Sequence, residues 1–265
     1  MEDENYWEEI SITDKYEDLQ LPAFHLGGWY DCFIGPTLTN YVEMVKTGQR
    51  QKLIVGPWGH GNFSSVQGEC FFGIHASGDW IDLEENITDL HIRWFSHWLK
   101  GMDTGVETEA PVKIFVMGIN KWRDEMEWPL ERNQYTNFYL HSNGKANTKK
   151  GDGHLTVYTP FEEIADTFTY DPKKYRNGNL PEKALSGEIV AYEIDLWVTS
   201  NVFLPRHQIT LEISSSNFPQ YAPNPNTGKS MINSKETVKA HQIIYHNKQY
   251  PSHMILPIIP MLKSK

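Results

Sequence analysis

Helix-like periodicity in this sequence stops near residue 129, and no other feature limits the fold as strongly. Before that point, short apolar runs alternate with helical stretches: residues 21–26, 52–55 and 112–117 read as strands, and residues 37–46 as a helix. A second helix is predicted over residues 89–99, where Leu90, Trp94 and Trp98 recur four apart and so share a face. Thr88 stands where a cap belongs, Lys100-Gly101 closes the end, and Ile87 and Ile92 are placed for a hydrophobic staple. Alternation of this kind builds a mostly parallel sheet covered by helices.

After residue 129 only strand signals remain, over residues 135–140, 154–158, 188–196, 208–213, 241–245 and 254–256. Turn formers such as Asn143-Gly144 and Pro223-Asn224-Pro225-Asn226 separate them. The pattern therefore predicts an α/β part followed by an all-β part of sandwich type, with fewer strands than the eight of a jelly roll. At 265 residues and 39% hydrophobic content, the chain is long enough for one large or two ordinary domains.

A formal charge of -10 repels polyanions, so neither nucleic acid nor an anionic membrane is an expected partner. Cys32 and Cys70 are too few for a disulfide framework and too far apart for a Cys-x-x-Cys motif, which leaves them as ordinary thiols. The acidic start, Met1-Glu2-Asp3-Glu4-Asn5, and the lack of any long apolar run give a cytoplasmic expectation.

Chemistry concentrates at two strand ends. One strand runs into Gly27-Gly28-Trp29-Tyr30-Asp31 and the next into Gly56-Pro57-Trp58-Gly59-His60-Gly61. In a parallel sheet both lie at the carboxyl edge, where such folds collect catalytic groups. Asp followed by His is the second half of the Ser, Asp, His order of α/β-hydrolases, in which the carboxylate orients the imidazole and the imidazole takes the serine proton. Asp31 and His60 are the candidate pair. Asp at a strand end is also a common turn former or helix cap, and the residues alone leave both roles open.

These two motifs, with Trp94-Phe95-Ser96-His97-Trp98-Leu99-Lys100-Gly101 and the later Trp122-Arg123, Glu127-Trp128-Pro129 and Ile194-Asp195-Leu196-Trp197, resemble the cocaine esterase, glutaryl-acylase and Xaa-Pro dipeptidyl-peptidase family. The likeness runs over nearly the whole chain. It implies an α/β-hydrolase domain over residues 1–130, with residues 1–18 the exit from a helical cap, and a jelly-roll domain over residues 131–265. It further implies Asp31 as triad acid, His60 as general base, and Trp29, Tyr30 and Trp58 flanking the site, either as substrate contacts or as packing aromatics. The implied substrates are small esters, amides or Xaa-Pro peptides, with no cofactor.

Departures from the family pattern are as informative. No Gly-x-Ser-x-Gly elbow occurs in the chain; Ser230, in Gly228-Lys229-Ser230, lacks the second glycine. Family segments that are normally far apart meet at Lys173-Lys174, which implies missing jelly-roll strands. Ser96 and Arg206 replace an acid and a glycine that are usual in the family. The expectation is a serine hydrolase that needs its nucleophile from elsewhere, and the partners it implies are a complementing N-terminal hydrolase half or a homo-oligomer. The competing reading is a non-catalytic fragment or binding module.

Other signals are weaker. Gly228-Lys229-Ser230 lacks the leading glycine of a phosphate loop, and no His-Glu-x-x-His or Cys/His quartet marks a metal site. His97 reads as a satisfied histidine of a tryptophan-rich helix. Asp79, Asp82, Glu84 and Glu85 read as a solvated acidic loop, lacking the regular spacing of a calcium loop.

Overall fold

The computed structural model describes residues 4–13, 15–171, 187–217, 224–227 and 236–260. They divide into two compact units: residues up to 131 with 194–209, and residues 132–193 with 210 onward.

The first unit opens with α1 (Glu4–Ile10) and continues through β1 (Ala23–Tyr30), α2 (Ile34–Val45) and β2 (Gln51–Gly59). A short hairpin follows, β3 (Val66–Gln67) and β4 (Cys70–Phe71), then α3 (Ile87–Lys100), β5 (Val112–Val116) and β6 (Lys121–Glu125). The main sheet has the order β1-β2-β5-β6. Its first three strands are parallel and β6 is antiparallel. Nearly all of β2 is buried, which suits its place between two neighbours and explains its unbroken apolar run. Leu53, Ile54, Val55, Trp58, Ile114 and Phe115 from the sheet pack with Ile34, Leu38 and Tyr41 of α2 and Leu90 of α3.

Both predicted helices are present, with different starts. α2 begins at Ile34 and not at residue 37, because Pro36 falls in its first turn, where no helical partner for an N–H is lost. α3 is capped by Asn86, whose side chain accepts the Asp89 N–H at 2.8 Å, and not by Thr88. Ile87 lies inside the helix and Ile92 is 57% exposed, so they form no staple. Gly101 closes α3 in the left-handed region at φ 67°, as its position predicts.

An ion-pair chain ties α3 to β2. Arg93 binds Glu85 at 2.6 Å and Glu109 at 2.5 Å, and Glu109 also holds Lys52 at 3.0 Å. Burial works to raise the Glu109 carboxyl, but the hydrogen bonds and charges of Arg93 and Lys52 outweigh it and hold the group below its ordinary value. A depressed acid stabilises the fold above its unfolded value of about 4.3, and that contribution is lost as pH falls through the lower folded value. Glu109→Gln should therefore flatten the acid limb of a thermal-melting profile. Solvent screening limits its cost at pH 7 to about 1 kcal/mol.

The second unit holds β7 (Gln134–His141), β8 (His154–Thr156), β9 (Asp166–Tyr170), β10 (Ala240–Ile244) and β11 (His253–Ile258). They form two antiparallel sheets, β11-β7-β8 and β10-β9. Four predicted strands appear here. Residues 188–196 and 208–213 form none, since no partner ladder meets them among the described residues. Four strands had no forecast: β3 and β4, each only two residues long, β6, whose polar sequence hides an inward Trp122 and Glu125, and β9. Residues 194–209 lie with the first unit because Met117 exchanges backbone bonds with Ser200 and Val202, both at 2.9 Å. The fold is thus one of mixed sheets with few helices. The Lys173-Lys174 junction and Ser230 lie outside the described residues. No helix among the described residues is long and apolar enough to cross a membrane.

Candidate active site

β1 and β2 end side by side at the carboxyl edge of the sheet. Gly28 faces Gly56, but Tyr30 faces Gly59, so β2 holds one extra residue between the two pairs. A bulge re-aims the residues that follow it. Continued without the bulge, the register would bring Asp31 level with Gly59; with it, Asp31 comes level with His60.

Asp31 is fixed from behind. Its Oδ1 accepts the Phe33 N–H at 2.8 Å and its backbone carbonyl accepts the Ile34 N–H at 3.2 Å, an Asx turn that starts α2. Oδ2 is left facing His60, whose Nδ1 lies 3.3 Å away, at the long end of a hydrogen bond. Asp31 thus divides its carboxylate: one oxygen closes the turn and the other faces the imidazole.

His60 sits in a tight turn. Gly59 and Asn62 exchange backbone bonds at 3.3 and 3.2 Å, and Gly61 takes φ 65°, a conformation that costs glycine little. The Phe33 ring meets the imidazole edge-on at 4.9 Å. A carboxylate only accepts, so the contact with Asp31 assigns the proton to Nδ1 and leaves Nε2 as the acceptor. Nε2 has no hydrogen-bond partner among the described residues, and the side chain is 66% exposed. The pair has the form of an oriented general base.

The three aromatic candidates separate. Tyr30 is exposed beside Phe72, at 5.9 Å between ring centroids. Trp29 is buried, donates its indole N–H to the Phe115 carbonyl at 2.7 Å and packs on Trp128. Trp58 is fully buried and donates to the Ala76 carbonyl at 2.7 Å. Both indoles are thus committed to the core of the first unit, and Tyr30 alone of the three presents a broad surface. Phe33 was passed over in the sequence. The available signal was its place two residues after Asp31, where an Asx turn takes its N–H donor.

Several of the remaining signals have local partners. His97 binds the Met102 carbonyl through Nδ1 at 2.9 Å. In the acidic loop, Glu85 holds Arg93 and Asp82 faces Lys113 at 3.5 Å. Cys32 and Cys70 are exposed free thiols.

Comparison with known proteins bears on this arrangement. The X-Pro dipeptidyl-peptidase (S15 family) model matches residues 1–62, which include both Asp31 and His60. The X-Pro dipeptidyl-peptidase C-terminal non-catalytic domain matches residues 104–180 and 164–255, more than half of the chain. The chain belongs to the cocaine esterase and X-Pro dipeptidyl-peptidase family. The cocaine esterase of Rhodococcus sp. (strain MB1 Bresler) is 30% identical over 343 residues, covering 96% of this chain and 59% of that protein. The chain thus spans less than two thirds of the length of that relative. Among solved structures, an aminopeptidase from a marine sediment Thaumarchaeota archaeon matches at 21% identity and TM-score 0.48, covering 64% of this chain and 27% of that one. An α-amino acid ester hydrolase matches at 22% identity and TM-score 0.46, over 64% of this chain and 28% of that one. Membership of the family rests on the sequence matches, and it makes this chain part of a hydrolase family.

Proposed function

We propose that the chain supplies the acid and base of a serine hydrolase acting on small esters, amides or Xaa-Pro peptides. The observation that carries this is the Asp31–His60 pair, with Nδ1 on the carboxylate and Nε2 open. In the proposed cycle, His60 Nε2 accepts the proton of a serine hydroxyl as that oxygen attacks the acyl carbonyl. The imidazolium then protonates the leaving alkoxide or amine, and an acyl-enzyme results. Water repeats the sequence and releases the acid. Asp31 holds the tautomer and stabilises the imidazolium without taking its proton. Tyr30, exposed beside the pair, borders the acyl group in this proposal.

The serine comes from a polypeptide stretch outside these 265 residues, since no Gly-x-Ser-x-Gly occurs among them. The open edge of β1 supports this: β1 has a single neighbour in its sheet among the described residues, and its Phe24, His25 and Leu26 are half-buried. A complementing strand on that edge would bring a nucleophile to the same carboxyl end. The second unit is proposed as a shortened jelly roll. The alignment with cocaine esterase runs over 343 positions while the chain has 265, and the C-terminal family model matches in two overlapping pieces around residues 164–180.

The test is hydrolysis of a short-chain aryl ester and of an Xaa-Pro arylamide by the purified chain, alone and mixed with a separately expressed family segment bearing Gly-x-Ser-x-Gly. The expected result is turnover and fluorophosphonate labelling only in the mixture, with both lost in the His60→Ala chain. Turnover by the isolated chain that survives His60→Ala would overturn the proposal.

A further inference from the structure

β1 presents its two faces to two different helices. His25 turns its ring to Tyr41 of α2, at 5.6 Å between centroids. Phe24, its neighbour in the strand, turns to His91 and Trp94 of α3, at 5.0 and 5.8 Å. Successive strand residues point to opposite sides, so α2 and α3 cover opposite faces of the sheet.

The side chains of α3 show how it lies across its face. Leu90 borders a small cavity with Ile54 of β2 and Lys113 of β5, which are register partners. Trp94 and His91 stand over Phe24 of β1. From the Leu90 side to the His91 side, the helix thus reaches from the middle of the sheet to its outermost strand. Phe95 comes one turn after His91, and its ring stacks on the imidazole at 6.4 Å. Ile92, Phe95 and Leu99 recur at spacings of three and four and share one stripe of the helix. They are 57%, 50% and 77% exposed, whereas Leu90 and Trp94 on the sheet side are buried. A helix face turned to water ordinarily carries polar residues, and this one carries three large apolar side chains. The stripe adjoins the side of β1 that has no neighbouring strand among the described residues.

We infer that the Ile92–Phe95–Leu99 stripe and the free edge of β1 form one docking surface, which takes a strand-and-helix unit of the nucleophile-bearing hydrolase segment. This rests on the function proposed above and names the second half of its interface. A strand added to β1 must run parallel to it to bring its carboxyl end beside Asp31 and His60. Parallel strands are joined by crossovers of a dozen or more residues, usually a helix, laid on a face of the sheet. On the α3 face, a helix flanking a new strand at the β1 edge meets the stripe. One unit then covers the unpaired backbone and the apolar side chains together. A second copy of the chain fits less well, because a two-fold axis would pair β1 with β1 antiparallel and set the two Asp31–His60 pairs at opposite ends. A family relative holds polypeptide of the required kind, since this chain covers 59% of the cocaine esterase of Rhodococcus.

The test is the dissociation constant between the full chain and the separately expressed segment bearing Gly-x-Ser-x-Gly, for the parent and for Phe95→Ser/Leu99→Ser. Both side chains are at least half exposed, so the variant alone should keep the parental thermal midpoint. Its dissociation constant should rise about 30-fold or more, as the loss of two apolar anchors does. Hydrolysis by the mixture should fall by the same factor at low segment concentration and return to the parental rate at saturation, since neither residue touches the reacting groups. Met126→Ser removes a side chain that is 76% exposed but follows β6, at the far edge of the sheet. It should bind within about threefold of the parent.

If the segment does not fold by itself, it is fused ahead of Met1, and the double substitution should then lower the melting midpoint of the fusion and leave that of the isolated chain unchanged. A variant that binds as tightly as the parent, an unchanged fusion midpoint, or no binding of a folded segment by the parent would each overturn the docking surface. So would a parental homodimer that the substitution abolishes without any effect on the segment. Binding that the variant loses, with no turnover by the bound parent, would leave the docking surface in place and overturn the hydrolase reading instead.

Discussion

Asp31→Asn is expected to lower acyl hydrolysis by the reconstituted hydrolase by about 1,000- to 10,000-fold while leaving the fold intact. The separation follows from how the two oxygens divide their work. Oδ1 accepts the Phe33 N–H and starts α2, and asparagine keeps an oxygen there. Oδ2 faces His60 Nδ1, and in the variant an amide N–H takes its place. A donor opposite Nδ1 makes that nitrogen the acceptor and moves the ring proton to Nε2, the nitrogen that should receive the serine proton. His60→Ala removes the base altogether and should cost as much or more, up to about a million-fold. In both variants the thermal midpoint should stay close to the parent value, because the His60 side chain is largely exposed and buries little apolar surface. Steady-state rates with the aryl ester, read beside a melting curve for each variant, check this. An Asp31→Asn chain that keeps more than about a tenth of parental turnover would remove Asp31 from the proposed triad.

Asp31 and His60 were legible from the sequence because each closes a recognisable strand, and strands of a parallel sheet deliver their ends to one edge. Their juxtaposition was less so. It depends on a one-residue bulge between Gly28 and Tyr30, a property of the pairing of two strands that neither strand displays alone. Helix existence was read correctly from the spacing of Leu90 and Trp94, while the start of α3 depended on whether Asn86 or Thr88 would reach back to a free N–H. Trp29 and Trp58 show a further limit. An aromatic beside a catalytic motif has the same letters whether it faces a substrate or the core, and only the bonds to the Phe115 and Ala76 carbonyls distinguish the two. In the second unit, β9 alternates Phe168 and Tyr170 with Thr167 and Thr169 but is only five residues long, and its register is set by β10, about 70 residues on.

Gly56→Ala should strongly destabilise the first unit. A Cβ at Gly56 would lie 2.3 Å from Cδ2 of the Trp58 ring, which is fully buried and held by its bond to Ala76. Gly28, the register partner of Gly56, is pressed from the other strand: its Cβ would meet the Trp58 carbonyl at 2.2 Å. The two glycines together make the slot through which Trp58 enters the core. The ring cannot yield, because Phe63 and Trp122 meet it at 5.4 and 5.6 Å between centroids. Overpacking of a rigid core costs about 1–3 kcal/mol, and a clash with an immobile indole belongs at or above the upper end. Gly35→Ala is the control: nothing lies within 4 Å of its added methyl, and it stands in the first turn of α2, where alanine is the better helix former by up to about 1 kcal/mol. Urea denaturation followed by tryptophan fluorescence should therefore move in opposite directions for the two variants, down for Gly56→Ala and level or up for Gly35→Ala. Trp58 is two residues from His60, so the first shift should carry a loss of hydrolysis in the reconstituted enzyme that the second does not. Equal, small shifts for both would mean that Trp58 is free to move aside, and the bulge that sets Asp31 against His60 would then need another support.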